Sequence, residues 1–255
     1  MNHRLLACFA LLLSLGLVAV IASPQEKTAT WEAVNEAVGK GLPKTAIDHL
    51  QVIQTRAIND GKHAEAIKAI AMKVALEGNI QGGKPEEKIT RMRSEIANAP
   101  QEMQPMMEAI VANWFWHYLQ QNRWRFMQRT QTANSPSDDF TTWDLPRLLA
   151  EIDKQFDQVL DSSESLKDIS VDQYDTLFEK GNAPDSYRPT VFDFVAHNAL
   201  EFYASGEQVA SRTQDAFDLS ADGPIFDSTE AFLARDPESK DQTSLVLRAV
   251  KLYQQ

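Results

Sequence analysis

The feature that most constrains the fold is the stretch from Met106 to Leu148, which holds four of the chain's five tryptophans. Trp116 lies two positions from Trp114, so their rings point to nearly opposite sides of a helix. A helix with large aromatic side chains on both sides needs neighbours on both sides, which predicts a central packing element. The apolar positions recur at the helical spacing of three or four residues: Met106, Met107, Ile110, Val111, Trp114, Tyr118 and Leu119.

We predict that this stretch forms an aromatic hub of Trp114, Tyr118, Trp124 and Trp143. Arg123 and Arg125 flank Trp124, and Asp138 to Asp144 follow in the next loop. Arginines beside aromatic rings also occur in nucleic-acid-binding surfaces. We favour a structural interpretation, in which the two arginines orient the loop toward the carboxylates of Asp138 to Asp144.

Glycine and proline divide the rest of the chain into helical segments. Helices are expected near Trp31–Val38, from Pro43 to Asn59, up to Gly78, and from Pro85 onward, since Pro suits a first helical turn and Gly a helix end. Further helices are expected after the N-cap residue Asp144, after Pro189, and over Ser228–Ala234 and Thr243–Tyr253. No segment alternates convincingly enough for a sheet. The predicted class is all-α, with antiparallel helical hairpins in a tetratricopeptide-like or solenoid-like bundle.

The amino terminus has the pattern of a cleaved signal peptide. Arg4 precedes an uncharged run from Leu5 to Ala22, and Ser23 suits the first position after cleavage. A lipoprotein box ending at Cys8 and an uncleaved anchor are the alternatives. The expected organisation is a signal peptide at 1–22, a linker at 23–29 and an all-α domain at 30–255, with a sub-boundary near 181–189. The protein is expected to be exported to the periplasm, outer envelope or extracellular space.

Charge and cysteine content exclude several classes of function. Cys8 is the single cysteine, so the mature chain has no disulfide, thiol nucleophile or thiolate metal site. The formal net charge is −11, and residues 135–255 carry 10 basic and 24 acidic residues. Such a charge opposes binding to nucleic acid. No small-molecule substrate is evident either.

The constellation closest to a chemical site is Asp193, His197 and Glu201. These residues stand four apart, so they share one face of a helix, and carboxylates with imidazole are common metal ligands. A di-iron bundle would need a matching second helix, which the sequence does not offer. We favour a solvent-exposed helical stripe. The sequence therefore predicts no catalytic residue, cofactor or metal ion, and the protein is not expected to be an enzyme.

Three segments together resemble the N-terminal helical region of the large bacterial alpha-2-macroglobulin-like proteins. They are Gly41-Leu42-Pro43-Lys44-Thr45-Ala46, then Tyr118 to Arg125 continuing through Asp139 to Leu145, and Arg188-Pro189-Thr190 leading into Val191 to Leu200. The resemblance covers about Trp31 to the end of the chain. Ser205-Gly206-Glu207-Gln208 echoes the family's thioester string, but serine replaces the cysteine, and we interpret this echo as coincidence.

This resemblance implies a non-catalytic scaffold at the front of a protease-trapping protein, an endopeptidase inhibitor. Its partners would be downstream macroglobulin domains or a cell-envelope protein, with proteases engaged by the full-length protein. The apolar helix ending at Tyr253 is expected to pack against a successor, as in the leading part of a longer chain. The alternatives are a free-standing periplasmic helical-repeat binding module and a metal-dependent enzyme using Asp193, His197 and Glu201.

Overall fold

The computed structural model describes residues 29–82, 85–128, 139–175, 177, 184–205, 228–238 and 244–255. The predicted signal peptide and the predicted linker up to Thr28 lie outside the described residues. Ala29, which we had assigned to the linker, is fully buried among residues of the first helices. Ala29 therefore belongs to the packed fold.

The predicted all-α class is confirmed, and the described residues contain no β-strand beyond one isolated bridge between Ser170 and Thr190. The α-helices are α1 (Trp31–Gly39), α2 (Pro43–Asn59), α3 (His63–Ile80), α4 (Pro85–Asn98), α5 (Gln104–Met127), α6 (Leu145–Leu160), α7 (Ser163–Lys167), α8 (Val191–Ala204), α9 (Thr229–Leu233) and α10 (Leu245–Tyr253). Single 3-10 turns lie at Gln101–Met103, Phe140–Thr142, Val171–Tyr174 and Asp185–Tyr187.

The first two helix connections use the same turn. After α1, the N–H of Gly41 donates to the carbonyl of Val38, and the N–H of Leu42 donates to that of Ala37 at 2.9 Å. The corresponding bonds after α2 run from Gly61 to Ile58 and from Lys62 to Ala57 at 2.8 Å. Both glycines have a φ of 68°. A residue with a side chain adopts this left-handed conformation only at an energetic cost. This is the Schellman arrangement, which ends a helix and reverses the chain within three residues.

Consecutive helices from α1 to α6 pack against one another, and α8 then packs on α5, α6, α7 and α10. The facing sides of α2 and α3 are apolar, and Leu50, Ile53 and Ile67 are fully buried there. In α1, Val34 and Ala37 are buried, whereas Val38 is 39% exposed. Helix α1 is short, so one residue of rotation decides which side chain faces α2.

Helix α5 is central, as predicted. It contacts α4, α6 and α8, and large aromatic residues on different sides of it are buried. Trp116 packs edge-to-face against Phe202 of α8, with ring centroids 5.2 Å apart. On another side, Phe115 and Tyr118 both meet Phe140, at 4.9 and 5.3 Å.

The carboxy-terminal helix does not leave its apolar face open. Leu245, Leu247 and Val250 are buried, and α10 packs against α8. A helix earlier in the same chain therefore covers these positions, and the predicted successor stays a prediction.

The two sides of the predicted sub-boundary near 181–189 share one core. The N–H of Val171 donates to the carbonyl of Pro189 at 3.0 Å, and the N–H of Val191 donates to that of Ile169 at 2.9 Å. Side chains from α5, α6 and α8 belong to the same hydrophobic cluster.

Candidate functional site

Asp193 is a helix-capping residue in the structure. Its Oδ2 accepts hydrogen bonds from the backbone N–H of Thr190 at 2.9 Å and from the Thr190 hydroxyl at 2.7 Å. The Thr190 hydroxyl oxygen in turn accepts from the N–H of Asp193 at 3.2 Å. This reciprocal pair is a capping box, which satisfies backbone donors at the start of α8.

His197 and Glu201 continue this face of α8 but are both exposed. Partial burial lowers the pKa of His197, and the nearby Arg188 lowers it further, while Asp193 opposes the shift. The net shift favours the neutral form of the imidazole. No group of metal-ligating side chains is found in the described part of the chain.

The aromatic hub is only partly correct. Tyr118 and Trp143 are buried and Trp114 is half-buried, whereas Trp124 is 64% exposed. The reason lies in the helical period. The exposed side chains of α5 include His117, Gln120 and Gln121, and Trp124 follows them at the same spacing on the solvent face. That polar stripe is the signal in the sequence that would have placed Trp124 outside the core.

The predicted loop-orienting role of Arg123 and Arg125 stays a prediction. Arg123 is exposed and Arg125 half-buried, and Asp138 lies outside the described residues. The other two acidic residues cap helical turns. Asp139 accepts from the N–H of Thr141 at 3.0 Å, and Asp144 accepts from the N–H of Arg147 at 3.0 Å, which confirms its predicted N-cap role.

Beside Trp124, Met127 is 58% exposed, so the last turns of α5 present two large apolar side chains to solvent. The inward side of the same turns carries Phe126, which is 1% exposed and packs edge-to-face against Tyr118 at 5.9 Å. We name the exposed pair the α5 end surface. The opposite side of the same helical turns is packed into the core through Phe126.

A polar groove of about 610 Å³ lies between α4, α5 and α6. One face of α6 lines it, because the spacing of the contributing residues follows the helical period. Residues from α4, α5 and the segment before α6 complete the walls. The groove-lining residues are Arg147, Ala150, Glu151, Lys154, Gln155 and Gln158 of α6, with Arg93, Ile96, Glu108 and Trp143.

The groove holds three cations and two carboxylates. Arg93 forms an ion pair with Glu151, whose Oε1 also accepts a hydrogen bond from the buried amide of Gln155 at 3.0 Å. The guanidinium of Arg147 lies 4.2 Å from the ring centroid of Trp143. Burial raises the pKa of Glu108. Sequence reasoning missed this groove because its walls come from residues 93 to 158, which only tertiary packing brings together.

A second charged cluster ties α10 to α6. Arg248 Nη1 donates to Asp153 Oδ1 at 2.6 Å and to Asp157 Oδ2 at 2.7 Å. Burial, together with both aspartates, raises the pKa of the adjacent Tyr203 phenol. This cluster fixes the carboxy-terminal helix, and it too was missed because Arg248 is more than 90 positions from both aspartates.

Comparison with protein-family models, with curated proteins and with solved structures finds no match for this chain. The described part of the chain contains no helix that is both long and apolar enough to span a membrane. Fold and surfaces together define an all-α protein with an exposed aromatic helix end and a charged groove. The resemblance to the alpha-2-macroglobulin-like proteins stays a prediction.

Proposed function

We propose that this chain is a non-catalytic protein-interaction scaffold that docks its partner on the α5 end surface of Trp124 and Met127. Following the sequence resemblance, the partner is the macroglobulin-domain part of an exported protease-trapping protein of the alpha-2-macroglobulin type. The scaffold's role is to hold those domains in place, while the full-length protein engages the protease.

The exposure of Trp124 is the observation that carries this proposal. A tryptophan is usually buried at least in part, and full burial of a large apolar side chain contributes roughly 1.5–3 kcal/mol. Tryptophan, methionine and arginine are enriched at protein interfaces, and tryptophan and arginine dominate their binding energy. The α5 end surface provides Trp124 and Met127, and the exposed Arg123 adjoins Trp124 in the sequence.

The packing beneath this surface supports the same function. Phe126 anchors the last turns of α5 from the inside, so binding requires little ordering of the helix. Pre-organisation of this kind increases affinity, because less conformational entropy is lost on association.

A free-standing helical-repeat binding module is the second candidate. The identical turns at Gly41 and Gly61 favour it, since they repeat one helix–turn unit. The chain-order packing of α1 to α6 favours it as well, because stacked repeats contact mainly their neighbours. The metal-dependent alternative has no such support, because Asp193 is engaged in the capping box.

Photo-crosslinking in the organism that encodes the chain tests the proposal. Trp124 is replaced by benzoylphenylalanine, and the same residue replaces Tyr187, which is 73% exposed and serves as the matched control. Adducts specific to position 124 are identified by mass spectrometry. A macroglobulin-domain protein supports the proposal, and one different envelope protein supports the free-standing module. No adduct beyond the Tyr187 control would overturn the α5 end surface as a docking site.

A further inference from the structure

The groove between α4, α5 and α6 has a charge opposite in sign to that of the molecule. Its charged side chains are three cations, Arg93, Arg147 and Lys154, and two carboxylates, Glu108 and Glu151, so its formal charge is +1. The whole chain has a formal net charge of −11. At physiological ionic strength the Debye length is about 8 Å. A ligand in the groove therefore responds to these nearby groups more than to the distant net charge.

The acidic groups of the groove are the less available ones. The ion pair with Arg93 neutralises Glu151, and burial disfavours the charged form of Glu108. Lys154, in contrast, is exposed, and no acidic partner for it is found among the described residues. Lys154 is therefore the charged group of the groove that is most accessible to a ligand.

The length of the groove's α6 wall fits a short extended peptide. Its α6 wall runs from Arg147 to Gln158, and the eleven helical steps between them span about 16 Å at the rise of an α-helix. An extended peptide advances about 3.3 Å per residue, so roughly five residues fit along this wall. Ile96 and Ala150 provide apolar contacts between the charged positions.

We propose that this groove binds an extended acidic peptide segment, with a ligand carboxylate at Lys154 and Arg147 and an apolar side chain at Ile96 and Ala150. The inference rests on the proposed scaffold function and identifies the chemistry of a second contact with the partner protein. The acidic side chains give the segment its specificity, because an uncharged segment gains nothing from Lys154.

Fluorescence anisotropy with a fluorescein-labelled eight-residue peptide of glutamate with two leucines tests this site. We expect saturable binding that weakens with salt, and binding at least about ten-fold weaker when glutamine replaces each glutamate. Lys154→Glu is expected to weaken binding about ten-fold or more. The matched control is Lys44→Glu, an exposed lysine of α2 outside the groove, which should change binding by less than about two-fold.

Three outcomes would overturn the inference: no saturable binding of the glutamate peptide, equal binding of the glutamine peptide, or an equal loss in the Lys44→Glu control. Competition by free succinate as strong as that by unlabelled peptide would overturn the peptide as the ligand and indicate a small dicarboxylate. Both variants alter exposed lysines, and an unchanged thermal unfolding curve verifies their fold. Crosslinks at position 124 report separately on the α5 end surface, so failure of the groove and failure of the proposed function are distinguishable.

Discussion

Both ends of helix α5 carry large aromatic residues, but one end is buried and the other is largely exposed to solvent. From Met106 to Leu119 the helix is packed by α4, α6 and α8, and Met107, Val111 and Phe115 are fully buried. In the last two turns only Phe126 is fully buried, while Trp124 is left outside. The difference teaches that an aromatic-rich helix can serve the core at one end and present an interaction surface at the other. What decides between them is which neighbours the fold brings there.

Phe115→Ala is expected to have the largest effect, because it removes a ring from the packed end. Phe115 is fully buried, contacts Phe140 at 4.9 Å, and lies 4.7 Å below the guanidinium of Arg93. Truncating a buried phenylalanine typically costs about 3–5 kcal/mol in the free energy of unfolding. Urea denaturation measures this loss, and a change below about 1 kcal/mol would show that the centre of α5 is not the packing hub.

Tyr203→Phe sharpens the comparison through its response to alkaline pH. Burial and the two aspartates raise the pKa of Tyr203 above its ordinary value of 10.0. A raised pKa means that the stabilisation is complete below the unfolded-state value and is lost as pH rises through the folded-state value. At pH 11 the wild type should therefore be less stable than at pH 8 through this one phenol. We expect Tyr203→Phe to reduce the loss measured between pH 8 and 11.

The control for this measurement is Tyr187→Phe, which changes an exposed phenol on the 3-10 turn before α8. The pH dependence of its unfolding should follow the wild type. An equal pH dependence of unfolding in the two variants would contradict a raised pKa of Tyr203.

Thr190→Ala is expected to have a smaller effect, because it removes one cap and leaves the core intact. Its hydroxyl takes part in both directions of the capping box with Asp193, and loss of such an N-cap costs about 1 kcal/mol. Thermal unfolding measures this change, and Thr190→Ser should restore most of the lost stability. A serine variant as unstable as the alanine variant would attribute the effect to the lost methyl group instead.

Much of the fold was predictable because its signals are local. Pro43 and Asp144 begin helices, and Gly41 and Gly61 end them, through backbone preferences that neighbouring residues alone express. The role of Trp124 was mispredicted because hydrophobicity was given more weight than the polar stripe around it. The groove and the Arg248 cluster were not predictable at all. Each joins side chains far apart in the sequence, and no local pattern records which helices meet.

Trp124→Ala is expected to have the smallest effect on stability and the largest on docking. Its ring is 64% exposed, so truncation should change the free energy of unfolding by less than about 0.5 kcal/mol, as surface substitutions usually do. If the α5 end surface is an interface, losing a central tryptophan should cost about 2 kcal/mol or more of binding free energy, which is roughly thirty-fold in Kd. Urea denaturation and titration with the crosslinked partner measure the two quantities on one variant. A large loss of stability with intact binding would show that Trp124 belongs to the core. The contrast between the two ends of the helix would then be wrong.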